Sequence, residues 1–198
     1  MENSVEPQHQ TTFGAAKEAV EIKFIKTSQE ESLELIEKAI KEIPSLTAFG
    51  IGIFSPVRQA KKLGITVREY EAREIPNGQA ELRSEYGRMC TAASADYIKN
   101  LTPLKGVNTK HGSYGMKHNV EAWTRARGRS IYTFNGAFIA AAVGLGFKYK
   151  DHAPNASFNF SEASIRNMYR EIREYEDGRM DEGHFKWREH ICREITES

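Results

Sequence analysis

Phe134 to Phe147 reads FNGAFIAAAVGLGF, a stretch without a charged side chain. Its apolar residues cover every side of a helical wheel instead of one stripe, and a helix of that kind is buried. A bilayer span needs about 20 apolar residues, and Ala137–Phe147 falls well short of that. We therefore read residues 136–147 as the buried central helix of a soluble, mainly α domain. Its small residues let neighbouring helices approach closely.

Amphipathic helices are expected on either side. Ser28 and Glu31 fit a capping box, and Leu33, Ile36, Ile40 and Ile43 follow at helical spacing up to Pro44. Leu46–Phe54, with Phe49, Ile51 and Ile53, reads as a short strand or apolar loop, and Val20–Lys26 as a strand or helix lead-in. One or two short N-terminal strands are thus expected. Val57–Arg73 has the outline of a helix-turn-helix around Gly64, but Glu69, Glu71 and Glu74 on its second helix are unsuited to a DNA groove. Pro76-Asn77-Gly78 is a turn signal. Leu82, Tyr86, Met89, Ala93 and Tyr97 predict one long helix over 79–101, bent near Gly87. Asp151–Phe160 reads as a turn-rich loop. Ser161 caps a helix facing inward through Ile165, Met168, Tyr169, Ile172 and Tyr175, and a last helix is expected over 184–196. Residues 1–15 read as a flexible arm and 16–198 as one mostly helical domain.

The formal net charge is +1, but it is unevenly spread. Residues 1–97 carry 12 Lys/Arg against 15 Asp/Glu, and residues 151–198 carry 7 against 11. Between them, residues 98–150 hold nine basic residues and Glu121 alone, a net +8. Tyr114, Trp123, Tyr132, Phe134, Phe138, Phe147 and Tyr149 are interleaved there. Cations steer and hold phosphates, and exposed rings stack on bases. The expected partner is therefore nucleic acid of unspecified type, or an acidic host protein surface, with Lys105, Lys110, Lys117, Arg125, Arg127, Arg129, Lys148 and Lys150 supplying the charge. Reversing Arg125, Arg127 and Arg129 is expected to weaken binding without unfolding the chain. The bland alternative is that the acidic flanks neutralise the basic middle and that the rings are core.

The densest chemistry lies in Lys110-His111-Gly112-Ser113-Tyr114-Gly115-Met116-Lys117-His118. A helix starting near Ser113 puts Tyr114, His118, Glu121 and Arg125 on one polar stripe, and Met116, Val120 and Trp123 on the apolar face. His111, Ser113 and Tyr114 would then stand at free helix N–H groups, which suit a phosphate. No Walker A pattern is present. His111, His118 and Glu121 are the candidates for acid–base catalysis, although nothing in their spacing demands it. A capped helix with surface Lys and His residues and a Glu121–Arg125 pair accounts for the same stretch. Asn135 can offer its amide to a base or phosphate, or simply cap the buried helix.

Cys90 and Cys192 are far apart and read as reduced, packed thiols. His184, His190 and Cys192 lack zinc spacing. No metal or cofactor is expected. The N-terminus lacks the basic start and apolar stretch of a secretory leader, so a cytoplasmic setting is expected, without a membrane. A homodimer fits the small number of groove-reading elements.

The runs KHGSYGMKHNVEAW, YTFNGAFIAAAVGLGF and APNASFNFSE resemble a set of short uncharacterised proteins carried by bacterial prophages and plasmids, over about residues 88–162. No activity comes with that resemblance. It implies a mobile-element context, in which proteins handle nucleic acids or block host defences.

Overall fold

The computed structural model describes residues 24–176. The expected arm over 1–15 and the last helix over 184–196 lie outside the described residues. Within them are seven helices and two small antiparallel hairpins, a mainly α fold.

The first helix, α1 (Gln29–Glu42), starts where Ser28 Oγ accepts the Glu31 N–H at 3.0 Å. It buries Leu35, Ile36 and Ala39. The chain then folds back as β1 (Leu46–Thr47) and β2 (Gly50–Ile51), paired Leu46 to Ile51. Pro56 occupies the first turn of α2 (Pro56–Leu63), where a missing N–H costs nothing. Gly64, at φ +67°, ends that helix in the left-handed region. A full capping box between Thr66 and Glu69 opens α3 (Val67–Arg83).

Two expectations fail in this region. Pro76-Asn77-Gly78 is not a turn; α3 runs through it. Pro76 removes one helical N–H and frees the Ala72 carbonyl, but both residues are exposed, so that carbonyl is open to solvent instead of stranded in the core. Gly78 is there for contact, since a Cβ would come within 2.6 Å of Thr47 Cβ. The expected helix over 79–101 is also two helices. Ser84, at ψ 162°, ends α3 and caps α4 (Glu85–Ile98), its Oγ accepting the Gly87 N–H at 3.1 Å. The first turn of α4 then sits so close to the end of α3 that a Cβ at Gly87 would lie 2.3 Å from the Leu82 carbonyl oxygen. Gly87 makes the break possible without being its location.

The loop after α4 leads into α5 (Ser113–Ala126) and then α6 (Asn135–Gly144), the buried central helix. Asn135–Val143 are all buried. The helix ends at Gly144, three residues earlier than expected; Gly146, at φ +85°, turns the chain away and leaves Phe147 outside it. Helices α1 and α4 flank α6, with α5 beside it. At Gly144 a Cβ would meet the Leu35 Cα at 2.8 Å, so the glycine sets how closely α1 can lie.

The expected loop over 151–160 is largely a hairpin, β3 (Tyr149–His152) with β4 (Asn155–Phe158), turning at the cis Ala153–Pro154 bond. Strand β3 is mostly exposed and polar, and β4 is small and buried, so neither shows the alternation that betrays a strand. Phe138 of α6 meets Phe158 and Phe160 at 6.0 and 6.1 Å between ring centroids, which seals the hairpin onto the core. Last, α7 (Glu162–Glu176) buries Ile165, Met168 and Ile172.

Close approach at α6 gives a sharp contrast between two glycines. A Cβ at Gly136 would lie 1.7 Å from the Thr47 carbonyl oxygen, whereas one at Gly115 of α5 meets nothing within 4 Å. Gly136→Ala is expected to cost ~3 kcal/mol or more, or to prevent folding. Gly115→Ala is expected to stabilise by about 0.5–1 kcal/mol. Urea unfolding followed by circular dichroism measures both.

Candidate functional site

The start of α5 is held from two sides. Gly112 bridges Ser157 of β4, and Ser113 Oγ accepts the Ala156 N–H at 3.1 Å. Ser113 is fully buried, so its hydroxyl serves the packing of β4. His111 Nε2 lies 3.0 Å from Glu162 Oε2 at the start of α7, and Asn108 Nδ2 donates to the same oxygen at 3.3 Å. These hydrogen bonds, Asn108 first, hold the Glu162 carboxyl below its ordinary range. His111 thereby pins the 102–112 loop to α7.

One turn into α5 the chemistry changes. Lys117 is only 2% exposed and donates to Glu121 Oε1 at 2.8 Å. The Thr133 N–H donates to that oxygen at 3.0 Å, and His118 Nδ1 lies 2.8 Å from Oε2. Burial opposes ionisation of Glu121, but hydrogen bonds from Lys117, His118 and Thr133, with the Lys117 charge, outweigh it and hold the carboxyl below its ordinary range. The Lys117 ammonium sits 4.6 Å from the Tyr132 ring centroid and 5.1 Å from that of Tyr114, within cation–π range.

Tyr132 and Tyr114 flank this buried charge, and further exposed rings join Tyr132 through Phe134. Tyr132 is 63% exposed, Tyr114 56%, Phe49 70% and Tyr86 39%. Phe134 joins three of them, its centroid 5.4 Å from Tyr86, 6.4 Å from Phe49 and 6.5 Å from Tyr132. The Tyr86 hydroxyl donates to the Tyr132 carbonyl at 2.8 Å, fixing the backbone that carries both Tyr132 and Phe134. Beside it Cys90 is buried, which pushes its thiol up to about 12, so it is not a nucleophile at neutral pH.

Of the interleaved aromatics, Tyr114 and Tyr132 are exposed, Trp123 and Phe138 are core, and Phe134, Phe147 and Tyr149 are half-buried. Phe49 and Tyr86 escaped sequence reasoning. Phe49 sits far from the basic segment, and Tyr86 shares the apolar spacing of its helix.

The basic residues divide too. Lys117 is consumed by Glu121, Arg127 by Glu171 and by stacking on Trp123 at 4.1 Å, and Lys99 by Asp96 and Glu31. Arg127 therefore holds α5 to α7, so reversing its charge is expected to loosen that contact as well as to weaken any binding. Lys105, Lys110, Lys148 and Lys150 are exposed without an ion-pair partner among the described residues, and Arg129 is half-buried. Lys148 Nζ donates to the Lys105 carbonyl at 3.2 Å, bringing those two together, and Lys150 follows on β3. Lys110 precedes Tyr114 by four residues. Arg125 is exposed one turn beyond Glu121.

Asn135 is buried and not available to a ligand. Its Nδ2 donates to the Pro154 carbonyl at 3.1 Å and to Asn155 Oδ1 at 3.2 Å, tying the second hairpin to α6. Among the described residues no cluster of three or more His, Cys, Asp and Glu side chains is placed to hold a metal. No described helix is long and apolar enough to cross a membrane. Compared with family models, curated proteins and solved structures, the chain finds no match.

Replacing Glu121 tests the centre of this site. Glu121→Leu leaves the buried Lys117 ammonium without its carboxylate, at an expected cost of about 3–5 kcal/mol. Because the folded carboxyl titrates below its unfolded value of 4.5, its contribution is complete above about pH 4.5 and fades as pH falls below that. The gap between parent and Glu121→Gln, measured by urea unfolding, should therefore narrow on acidification from pH 7 to pH 3.

Proposed function

We propose that this chain binds single-stranded nucleic acid in the bacterial cytoplasm, as part of a mobile element, by stacking bases on Tyr132, Tyr114 and Phe49. The observation that carries this reading is the set of exposed rings, two of them against a buried, paired Lys117 and Phe49 beside Phe134. Large rings normally withdraw from water, yet these are exposed and oriented. Tyr132 and Tyr114 lean on an ammonium that cannot leave, and Phe134 and the Tyr86 hydroxyl hold their neighbourhood. Only an unpaired strand offers base faces to such rings. The acidic second helix of the helix-turn-helix outline argues against duplex reading. Lys110, Lys105, Lys148 and Lys150 supply phosphate contacts, which makes binding salt-dependent.

A second reading has its own observation. Phe54, Val57 and Leu63 are also exposed, at 79%, 68% and 51%, around α2 and away from the basic segment. Apolar surface of this kind suits a protein partner, such as a host defence protein inhibited by the element.

Fluorescence anisotropy with labelled single-stranded and duplex DNA and RNA across a salt series separates the two. Single strands should bind more tightly than duplexes and lose affinity steeply with salt. Phe49→Ala and Tyr132→Ala should each cost about 1–3 kcal/mol of binding. Equal affinity for duplexes, or undiminished binding by both variants, would overturn base stacking. Capture of a host protein that survives nuclease treatment, with no oligonucleotide binding, would establish the second reading.

A further inference from the structure

We propose that the same surface cleaves RNA, with His118 as the general base that deprotonates the 2′-hydroxyl of a ribonucleotide stacked on Tyr114. This rests on the single-strand reading and adds chemistry to it. Four observations support the assignment. His118 Nδ1 faces Glu121 Oε2 at 2.8 Å. An ionised carboxylate only accepts, so Nδ1 carries the proton and the neutral ring keeps its lone pair on Nε2. Nε2 has no partner among the described residues, and the side chain is 48% exposed. The imidazole meets the Tyr114 ring edge-on, 4.9 Å between centroids at 89°, so a base on the exposed Tyr114 face brings its ribose beside the imidazole.

Glu121 is itself immobilised, since Lys117 and the Thr133 N–H occupy its other oxygen. A buried Lys–Glu pair is a poor way to gain stability. Here it aims a carboxylate at a half-exposed histidine, the arrangement of a base with its orienting group. The other described histidines are used differently. His111 is 24% exposed and pins its loop to α7. His152 has both ring nitrogens in contact, with the Lys150 carbonyl and Ser157 Oγ.

In the step itself, His118 Nε2 takes the 2′-hydroxyl proton and the 2′-oxygen bonds to the adjacent phosphorus. The bond from phosphorus to the 5′-oxygen breaks, that oxygen takes a proton from water, and the hydroxide so formed removes the proton held on His118 Nε2, which restores the base. The products are a 2′,3′-cyclic phosphate and a 5′-hydroxyl. The step requires no oxidant, reductant or further reactant. Lys110, four residues ahead of Tyr114 and without an ion-pair partner among the described residues, offsets phosphate charge.

The experiment uses the full chain, a labelled single-stranded RNA, its DNA counterpart and the same RNA with 2′-O-methyl groups. Binding is followed by anisotropy and cleavage by gel, in EDTA. The expected result is that RNA alone is cut, leaving cyclic phosphate ends. His118→Ala should lower the rate by about 10²–10⁴-fold with affinity within twofold of the parent, and added imidazole should restore part of the rate. RNA that binds but stays intact would overturn the proposal and leave the stacking reading standing. Cleavage by His118→Ala at the parental rate would overturn it as well. Absence of binding by any strand would remove both readings together.

Discussion

The structure depends on a backbone clamp around residues 47–50. The Ala48 N–H donates to the Gly78 carbonyl of α3 at 2.9 Å, and the Gly136 N–H of α6 donates to the Ala48 carbonyl at 2.9 Å. Two helices thus grip one tight turn through main-chain atoms, at a distance only glycine allows on either side. The second hairpin is drawn in by the same turn, because the Ile51 N–H donates to the Pro154 carbonyl at 3.0 Å and Asn135 reaches the same oxygen. With the turn in place, Phe49 stands beside Phe134, and the exposed ring set has its outer member. Fold and candidate site therefore share one constraint.

Charge in the basic segment is divided by burial. Lys117, Arg127 and Lys99 are drawn into pairs that join elements or fix a carboxylate, while the lysines of the 102–112 loop and of β3 stay in water. Part of the expected self-neutralisation does take place, and Glu171 of the acidic C-terminal flank contributes to it. What remains is a smaller, patchier positive surface than a net +8 suggests, and it does not include the central Lys117. That ammonium acts inward, on the rings that flank it and on Glu121 beside it.

The helices were legible where local chemistry and packing agree. Ser28 caps α1, Ser113 begins α5, and Phe134–Phe147 announces a buried helix by composition. The signal failed where a residue has two meanings. Pro76-Asn77-Gly78 has turn chemistry, but Gly78 is selected by contact with Thr47. Tyr149–His152 forms a strand because β4 pairs with it, without an alternating pattern of its own. In the site, the stripe of Tyr114, His118 and Glu121 was readable from helical spacing. Lys117 was not read as buried, although the one acidic residue of the basic segment stands four positions after it.

By itself the sequence determined the class of fold and the identity of the central helix, because apolar composition and helical spacing along single elements carry them; it put His118 and Glu121 on one stripe, and the structure paired them. Tertiary structure decided which cations stay in water and which rings stay exposed. It also decided that Phe49, Tyr86 and Tyr132 converge on one surface. Those outcomes depend on residues far apart in the chain meeting across α4, α5 and the clamped turn, and no local periodicity carries that information.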